Sequence, residues 1–227
     1  MKFKTELHAH TAGVSQCAKI TVEETVESYI KKGVSTLVIA NHYSPVTFEN
    51  MESASWEEKN KYFLSEYHRA LEVAKDRINI ILGMEFRNNY SDNDYLIYGI
   101  TEEFITSNSN CNENNFLAMH LKEFSELVHK SNALVFQAHP FRNGMKIVNP
   151  QYLDGIEVIN GHRRHDSRND IASMWAEKFN LLKCGGSDSH MIGDEATTLI
   201  VTEYEIKTPE QLVEALKGEV LFDCAGE

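Results

Sequence analysis

Two pairs of side chains in the sequence have the types and the spacing of metal ligands. His8 and His10 stand two residues apart in LHAH, and Asp188 and His190 stand two apart in GGSDSH. Residues two apart on an extended strand point to the same face, so each pair could reach one ion. A chain with ten histidines often contains one such pair by chance, but two pairs together predict a metal site.

Three further candidate ligands follow apolar runs that predict strands. His42 follows TLVIAN, Glu85 follows INIILGM, and His139 ends ALVFQAH. Barrel enzymes assemble their sites at the carboxyl ends of strands, so we expect these side chains to meet there. Imidazole and carboxylate ligands together favour manganese, zinc or iron over calcium and magnesium. The candidates exceed the ligands of one tetrahedral site, so we expect two to three divalent ions.

The elements that must position these residues alternate along the chain. Apolar runs predict strands at KFKTELH, STLVIAN, INIILGM, DYLIYGI, ALVFQAH, GIEVING, LLKCGGS and TTLIVTE. Helical patterns are predicted over residues 22–33, 56–75, 121–130, 171–179 and 209–216. Thr21 and Glu24 form a capping box before the first helix, and Thr208 and Pro209 begin the last. This alternation predicts parallel pairing in an α/β fold, a (β/α) barrel rather than an open doubly wound sheet.

Length and composition predict one soluble domain over residues 1–227. The net charge of −12 disfavours a long nucleic-acid partner, since it would repel a polyanion. No apolar run approaches the roughly 20 residues that span a bilayer. The start, MKFKTELHAH, lacks the apolar stretch of a secretory signal, so we expect a cytoplasmic protein. The polar segment 106–114 predicts a surface loop.

The cysteines are scattered without CxxC spacing, which argues against a zinc knuckle and a disulfide framework. Cys184 adjoins the Asp188 motif, but a nucleophilic role would need an activating base, so we reject it. His68, His120 and His129 fall in or beside predicted helices and are interpreted as structural.

Basic residues near the predicted site could hold a phosphate. Arg142, three residues after His139, could bind it bidentately, and the alternative is a surface salt bridge. The run GHRRHD places His162, Arg163, Arg164 and His165 after a strand, where a solvated loop is favoured over a phosphate-binding role.

The segments LHAH, ANHYSP, GMEF, QAHPFR, GIEVING and GGSDSH occur in the order and spacing of one known family. Through them nearly the whole chain resembles the PHP (polymerase and histidinol phosphatase) family of phosphoesterases. The resemblance implies a distorted (β/α)7 TIM-like barrel with up to three ions. It implies one site of His8, His10, Glu85 and Asp188, a second of Glu85, His139 and Asp94, and a third of His42, His190 and a loop residue.

The sequence departs from this family at two places. The loop after His10 offers Ser15, Gln16 or Cys17 where the family usually has Asp or His. Asn41 replaces an Asp, which removes a carboxylate that could orient a histidine. The number of occupied sites, two or three, therefore stays open.

These observations predict a phosphoesterase that hydrolyses a small phosphorylated metabolite or nucleotide through a metal-activated water. Arg142 would hold charge on the phosphate, and His190 or His42 would assist proton transfer. One alternative is a metal-dependent amidohydrolase, although no lysine ends a candidate central strand to bridge the ions. Another is a non-catalytic metal-binding or regulatory module, motivated by the departures at Gln16 and Asn41. The sequence does not give the oligomeric state.

Overall fold

A computed structural model describes residues 2–110 and 115–225, in which short strands alternate with helices. The strands are β1 Phe3–Ala9, β2 Thr36–Ile39, β3 His42–Tyr43, β4 Asn79–Leu82, β5 Met84–Phe86, β6 Tyr95–Tyr98, β7 Leu134–Gln137, β8 Gly155–Asn160, β9 Leu182–Gly186, β10 Thr198–Thr202 and β11 Leu221–Cys224. The helices are α1 Val22–Lys31, α2 Trp56–Ala74, α3 Glu102–Asn108, α4 Leu121–Lys130, α5 Asn169–Phe179 and α6 Pro209–Lys217. The fold is therefore mixed α/β.

The strands form two mixed sheets, and an isolated bridge joins one sheet to the other. One sheet has the order β11-β10-β1-β2-β4 and the other β3-β5-β6-β7-β8-β9. An isolated parallel bridge between Ala9 and Ser189 joins the end of β1 to the residues that follow β9. This bridge brings the chain beyond β1 beside the chain beyond β9, where the predicted ligand pairs lie.

The prediction of parallel pairing is wrong for β6, which runs antiparallel to both β5 and β7. Only residues 87–94 connect β5 to β6, and a parallel crossover needs roughly a dozen residues or more. The short connection therefore makes the chain reverse. As a result, the amino end of β6 lies at the same edge as the carboxyl ends of β5 and β7. β10 likewise pairs antiparallel with β1.

Most helices begin and end near their predicted bounds because their caps are local in sequence. The Thr21 side chain accepts from the Glu24 amide, and the Glu24 carboxylate accepts from the Thr21 amide. α2 has the same capping box between Ser55 and Glu58, which the sequence analysis did not use. α5 begins at Asn169, two residues earlier than predicted, and α6 begins after the predicted cap at Thr208.

The predicted surface loop over residues 106–114 is corrected in its first part. Residues 106–108 belong to α3, whose amino end is capped by the Thr101 side chain. Phe104 and Ile105 are buried and attach this short helix to the core. Their burial outweighs the low helix propensity of the polar residues that follow them. Residues 111–114 of the predicted loop lie outside the described residues.

The core packs between the helices and the sheets. Alternate residues of several strands share one buried apolar cluster, which contains Leu7, Val38, Ile81, Leu96, Phe136 and Ile200. A second cluster under α2 and α4 is rich in aromatic rings, including Tyr43, Phe63, Phe86, Phe116 and Phe124. Among the helices that the structure describes, none combines the length and the apolar character needed to cross a membrane.

Candidate metal centre

The predicted ligands converge on Glu85, whose carboxylate lies among four imidazoles. Its Oε1 lies 3.4 Å from His8 Nε2 and 3.1 Å from His139 Nε2. Its Oε2 lies 3.2 Å from His10 Nε2 and 3.0 Å from His42 Nδ1. Residues distant in sequence thus meet around one buried carboxylate, as the strand-end positions predicted.

Asp188 forms the other side of the cluster. Its Oδ1 lies 3.6 Å from His8 Nε2, 3.5 Å from His10 Nε2 and 3.4 Å from His190 Nδ1. Both carboxylates are almost fully buried, at 1% exposure each. Two carboxylates and several imidazoles in one buried space can hold divalent cations, because buried charges need a partner or a metal.

Gly186 allows β9 to approach β1 closely enough to form the cluster. A Cβ atom at Gly186 would lie 2.4 Å from His8 Cβ and 2.8 Å from the His8 amide nitrogen. Two candidate ligands also have left-handed backbone, with φ of 29° at His139 and 51° at Asp188. Non-glycine residues in that region are strained, and such strain concentrates at functional sites.

Glu157 fixes the orientation of His8 from the middle of β8. His8 Nδ1 donates to Glu157 Oε1 at 2.8 Å, so Nε2 is the ring nitrogen that faces Glu85 and Asp188. The other oxygen of Glu157 accepts from the His139 amide at 2.8 Å and from Asn160 Nδ2 at 2.9 Å. One carboxylate therefore orients His8 and the His139 backbone, an arrangement common around metal-bound histidines.

Ser15 and Asn41 orient His10 in a corresponding way. The Ser15 hydroxyl donates to Asn41 Oδ1 at 2.8 Å and accepts from the His42 amide at 3.0 Å. Since its only proton is used, His10 Nδ1, at 3.2 Å, must donate to Ser15 Oγ. This leaves His10 Nε2 facing the carboxylates. Asn41 thus supports a histidine without the carboxylate that the family usually has there.

The electrostatics of the cluster favour positive charge. Burial opposes protonation of His8, but Glu157, Asp188 and Glu85 together raise its pKa well above the ordinary value. Burial also opposes ionisation of Glu85, yet the neighbouring imidazoles of His42 and His8 contribute to holding the pKa of Glu85 well below its usual range. Asp188 has a strongly lowered pKa for the same kind of reason. A cation bound there would take over the role of these protons.

The donor set fits divalent ions. Ring nitrogens His8 Nε2, His10 Nε2 and His139 Nδ1 are buried without a hydrogen bond in the part of the chain that the structure describes. Ligand atoms lie within 4.8 Å of one another in three groups: His8, His10 and Asp188; His10, His42 and His190; and His42, Glu85 and Asp94. The Nε2 atoms of His8 and His10 also face Glu85 and Asp188, and this combination matches the mixed N/O ligands of manganese, zinc or iron.

Asp94 reaches the cluster because β6 is reversed. It precedes β6, and its Oδ2 lies 4.0 Å from His139 Nε2. Both of its oxygens also accept from Arg87, at 2.7 Å each. Burial and Glu85 raise the pKa of Asp94, and Arg87 partly offsets this. Asp94 is therefore close enough to be a ligand, while Arg87 balances its charge.

Arg142 lies in the cluster as an ion pair that is mostly buried, at 14% side-chain exposure. Its guanidinium donates to Asp188 Oδ2 at 2.6 Å and to Asn160 Oδ1 at 2.8 Å. The sequence analysis considered a surface salt bridge as the alternative role of Arg142. The structure does have a salt bridge, with Asp188, but the pair is mostly buried and not at the surface. The pair leaves Asp188 Oδ1 directed at His8 and His10, so Arg142 positions a candidate ligand.

The remaining histidines, which the sequence analysis did not count among the candidate ligands, lie either beside the cluster or away from it. His162, for which a solvated loop was favoured, is 8% exposed, and its ring centroid lies 5.5 Å from that of His190. This burial lowers its pKa to about 4. In the same run, Arg164 is paired with Asp194.

The three histidines that were interpreted as structural have other partners. His68 pairs with Glu102, His129 pairs with Asp154, and the ring of His120 stacks on Tyr90. None of these three belongs to the described groups of candidate ligands.

The two cysteines near the cluster differ in their surroundings. Cys184 is fully buried in the apolar core, and burial raises its pKa well above the ordinary value, in keeping with its rejection as a nucleophile. Cys17 lies at the mouth, where its Sγ is 3.1 Å from His190 Nε2. Burial of its sulfur together with Glu85 and Asp188 raises the pKa of Cys17 to about 12.

Sequence reasoning missed Glu157, Arg87 and the role of Ser15. Glu157 stands inside an apolar strand rather than at its end, so the strand-end criterion passed over it. A carboxylate within GIEVING was nevertheless a usable signal, since a carboxylate on a fully buried strand must find a polar partner.

The sequence profile of the PHP domain matches residues 6–215, which include all of the candidate ligands. The chain belongs to the PHP domain family. This confirms the resemblance that the motifs carried, and the groups of side chains that could hold a metal ion agree with a family of metal-dependent phosphoesterases. No curated protein sequence matches this PHP domain.

Several solved structures share the fold. A two-domain protein from Bacteroides vulgatus, described as containing a predicted PHP-like metal-dependent phosphoesterase, has a TM-score of 0.67 at 17% identity, over 95% of this chain and 62% of that chain. PsfC from Pseudomonas syringae has a TM-score of 0.66 at 13% identity, over 99% and 92% of the two chains. The lesion-specific endonuclease PfuEndoQ from Pyrococcus furiosus has 0.61 at 15% identity, over 98% and 58%. This PHP domain therefore spans less than two thirds of the first and third proteins, and at these identities the likeness concerns the fold.

Proposed function

We propose that this PHP domain is a metal-dependent phosphoesterase that hydrolyses a small phosphorylated metabolite or a nucleotide. The observation that carries the proposal is the convergence of His8, His10, His139 and Asp188 around buried Glu85. The Nε2 atoms of His8 and His10 are buried beside these two carboxylates without a hydrogen bond, and a cation would join the nitrogens to the oxygens.

Divalent ions at this centre would supply a more acidic coordinated water and neutralise charge on the phosphate oxygens. His8, His10, Glu85 and Asp188 would hold one ion, and Glu85, His139 and Asp94 a second. Glu157 and Ser15 keep the ring nitrogens Nδ1 of His8 and His10 occupied, so that each Nε2 faces Glu85 and Asp188 and would be free to bind an ion. The chain's own contribution is thus a rigid set of oriented donors.

Residues at the mouth would act on the substrate. Arg142, held beside Asp188 and Asn160, carries the positive charge that a phosphate oxygen would meet. Burial lowers the pKa of His42 to about 3 and that of His190 to about 4. Both imidazoles are therefore neutral near pH 7, so each has a lone pair free for a proton or for a metal ion. We propose that one of them assists proton transfer as long as its lone pair is not bound to an ion.

A small substrate is supported by the net charge of −12, which opposes a long polyanion. The amidohydrolase alternative has less support, because the buried polar side chains of the described residues include no lysine that could bridge two ions. We also propose that the strands close into the distorted barrel of the family as a single domain. The bridge between Ala9 and Ser189 supports that closure.

The test is a hydrolysis panel with Mn²⁺ present: p-nitrophenyl phosphate, its diester, nucleoside monophosphates, duplex DNA with an abasic site, and cyclic amides. We expect turnover of phosphoesters, with small esters preferred, and loss of that turnover in Glu85→Gln. Cleavage of amides alone would contradict phosphoester chemistry. Preference for the DNA duplex would contradict the small substrate, and bound metal without turnover would favour a regulatory module.

A further inference from the structure

We propose that Cys17 is a metal ligand whose sulfur, with the imidazoles of His42 and His190, makes the outermost site of this centre select soft ions such as zinc. The inference rests on the metal centre of the proposed function, but not on the reaction. It concerns the loop in which this chain departs from its family.

The sulfur and two imidazoles share the mouth of the site. Cys17 Sγ lies 3.1 Å from His190 Nε2, and Cys17 and His42 line the same cavity of about 210 Å³. His190 Nδ1 donates to the Asp188 carbonyl at 2.9 Å, so its Nε2 is the nitrogen that carries the lone pair beside the sulfur. Both donors are therefore directed to one place.

A second observation points to a cation there. His10 Nε2 is fully buried and makes no hydrogen bond within the described chain. Its ligand atom lies within 4.8 Å of those of His42 and His190. These imidazoles form a nitrogen-rich group, and Cys17 Sγ contacts that group through His190 Nε2.

The other two loop residues are committed elsewhere. Ser15 Oγ is occupied by Asn41, His10 and the His42 amide. The Gln16 side chain lines the same cavity as Cys17 and His42, but its amide nitrogen donates to the Val46 carbonyl at 2.9 Å. Ser15 Oγ contacts His10 at Nδ1, whose proton it accepts, whereas Cys17 Sγ contacts His190 at Nε2, the nitrogen that carries the lone pair.

A thiolate changes the preference of the site. Thiolate with imidazole suits zinc, whereas manganese prefers oxygen ligands. A zinc ion with Zn–S of about 2.3 Å and Zn–N of about 2.0 Å keeps the two donor atoms roughly 3.5 Å apart. The present separation of 3.1 Å therefore needs only a small opening. On binding, the thiol proton leaves to solvent as the sulfur bonds the ion.

Cobalt absorption gives a readout specific to sulfur. The chelator-treated protein is titrated with Co²⁺, and we expect a near-ultraviolet sulfur-to-cobalt charge-transfer band in the wild type. Cys17→Ser should lose the band while the histidine-bound cobalt still absorbs weakly in the visible. Cys224→Ser, a substitution of a partly buried cysteine on β11, is the matched control and should keep the band. Circular dichroism checks that each variant is folded.

Zinc affinity gives an independent measurement. Competition with a chromophoric chelator should show that Cys17→Ser weakens the weakest zinc site by at least about 10-fold, since loss of even a side chain that supports a ligand costs about 10- to 100-fold. Cys17→Asp, which supplies an oxygen ligand instead of sulfur, should shift the preference of that site from Zn²⁺ toward Mn²⁺. A band that persists in Cys17→Ser, cobalt uptake by the wild type without the band, or unchanged zinc affinity would each overturn the proposal.

The outcomes separate this inference from the proposed function. Hydrolysis of p-nitrophenyl phosphate with Mn²⁺, together with no charge-transfer band, defeats the role of Cys17 alone. A band without hydrolysis of any phosphoester defeats the proposed function alone. Failure to take up cobalt at all defeats both.

Discussion

His8 Nδ1 donates to Glu157 Oε1 at 2.8 Å, and both side chains are buried. The pair fixes which nitrogen of His8 faces Glu85 and Asp188. Because Glu157 also accepts from the His139 amide, a single carboxylate controls two candidate ligands from behind.

Glu157→Gln should therefore weaken metal binding without removing a ligand. The substitution keeps the size of the side chain but removes the charge that supports His8. We expect a loss of about 10- to 100-fold in Mn²⁺ or Zn²⁺ affinity by isothermal titration calorimetry. Glu203→Gln, which removes an exposed carboxylate, is the charge-matched control and should bind like the wild type. Equal affinities in the two variants would show that Glu157 does not support the centre.

Ser15→Ala should destabilise the protein and disturb His10. The hydroxyl serves Asn41, His10 and the His42 amide in a fully buried position. Its loss leaves buried polar groups without a partner, so we expect the free energy of unfolding to fall by about 1–3 kcal/mol in urea. Ser65→Ala, in which an exposed hydroxyl is removed, should change it by less than about 0.5 kcal/mol. If both variants unfold alike, the buried network is not what holds His10.

Gly186→Ala tests the close approach of β9 to β1. The added methyl would meet His8 Cβ at 2.4 Å, so the strands must separate or His8 must move. We expect a destabilisation of about 1–3 kcal/mol and weaker metal binding. Gly218→Ala is the control, since its methyl meets its nearest neighbour, the Ala215 carbonyl oxygen, at 3.4 Å. Thermal unfolding with and without Mn²⁺ measures both effects, and metal binding that is unaffected in Gly186→Ala would count against this geometry.

The metal-free protein should become less stable as pH rises above about 6.5, the ordinary histidine pKa. Burial opposes protonation of His8, His10 and His139, but neighbouring carboxylates raise the pKa of each. The folded protein thus holds more protons than the unfolded chain above that pH, and stability falls through the raised pKa values. His42 and His190, whose pKa values are lowered to about 3 and about 4, are already neutral in the folded protein, so they oppose this trend near pH 6.5, where the unfolded chain still holds part of their protons.

The measurement is the Tm of chelator-treated protein between about pH 6.5 and 8, where histidines titrate. Added Mn²⁺ should stabilise more strongly at the higher pH, because its ligands must lose protons. A Tm of the metal-free protein that stays level or rises over this range would contradict the assigned carboxylate–imidazole contacts. Glu157→Gln should make the slope shallower, because it removes the carboxylate closest to His8.

The convergence of the candidate ligands was predictable from the sequence because they follow a simple rule of position. His42, Glu85, His139 and Asp188 follow or end apolar strands, and strand ends that share an edge bring such residues together. The helices with local caps were also predictable, as α1 shows with Thr21 and Glu24.

Features that depend on tertiary pairing were not predictable in this way. The reversal of β6 follows from a short connection whose length was not weighed, and Asp94 reaches the cluster only because of it. The buried strand signalled that Glu157 needs a polar partner, but not that this partner is His8, 149 residues away. The hydrogen bond between Ser15 and His10 follows no sequence pattern. Supporting residues of this kind are specified by the packed structure rather than by spacing.

The most direct test of the metal centre is anomalous diffraction from crystals grown with Mn²⁺. The account predicts peaks of anomalous density bounded by His8, His10, Glu85 and Asp188, and by Glu85 and His139. Peaks that lie away from Glu85, or Mn²⁺ bound in solution with no peak among these side chains, would contradict it.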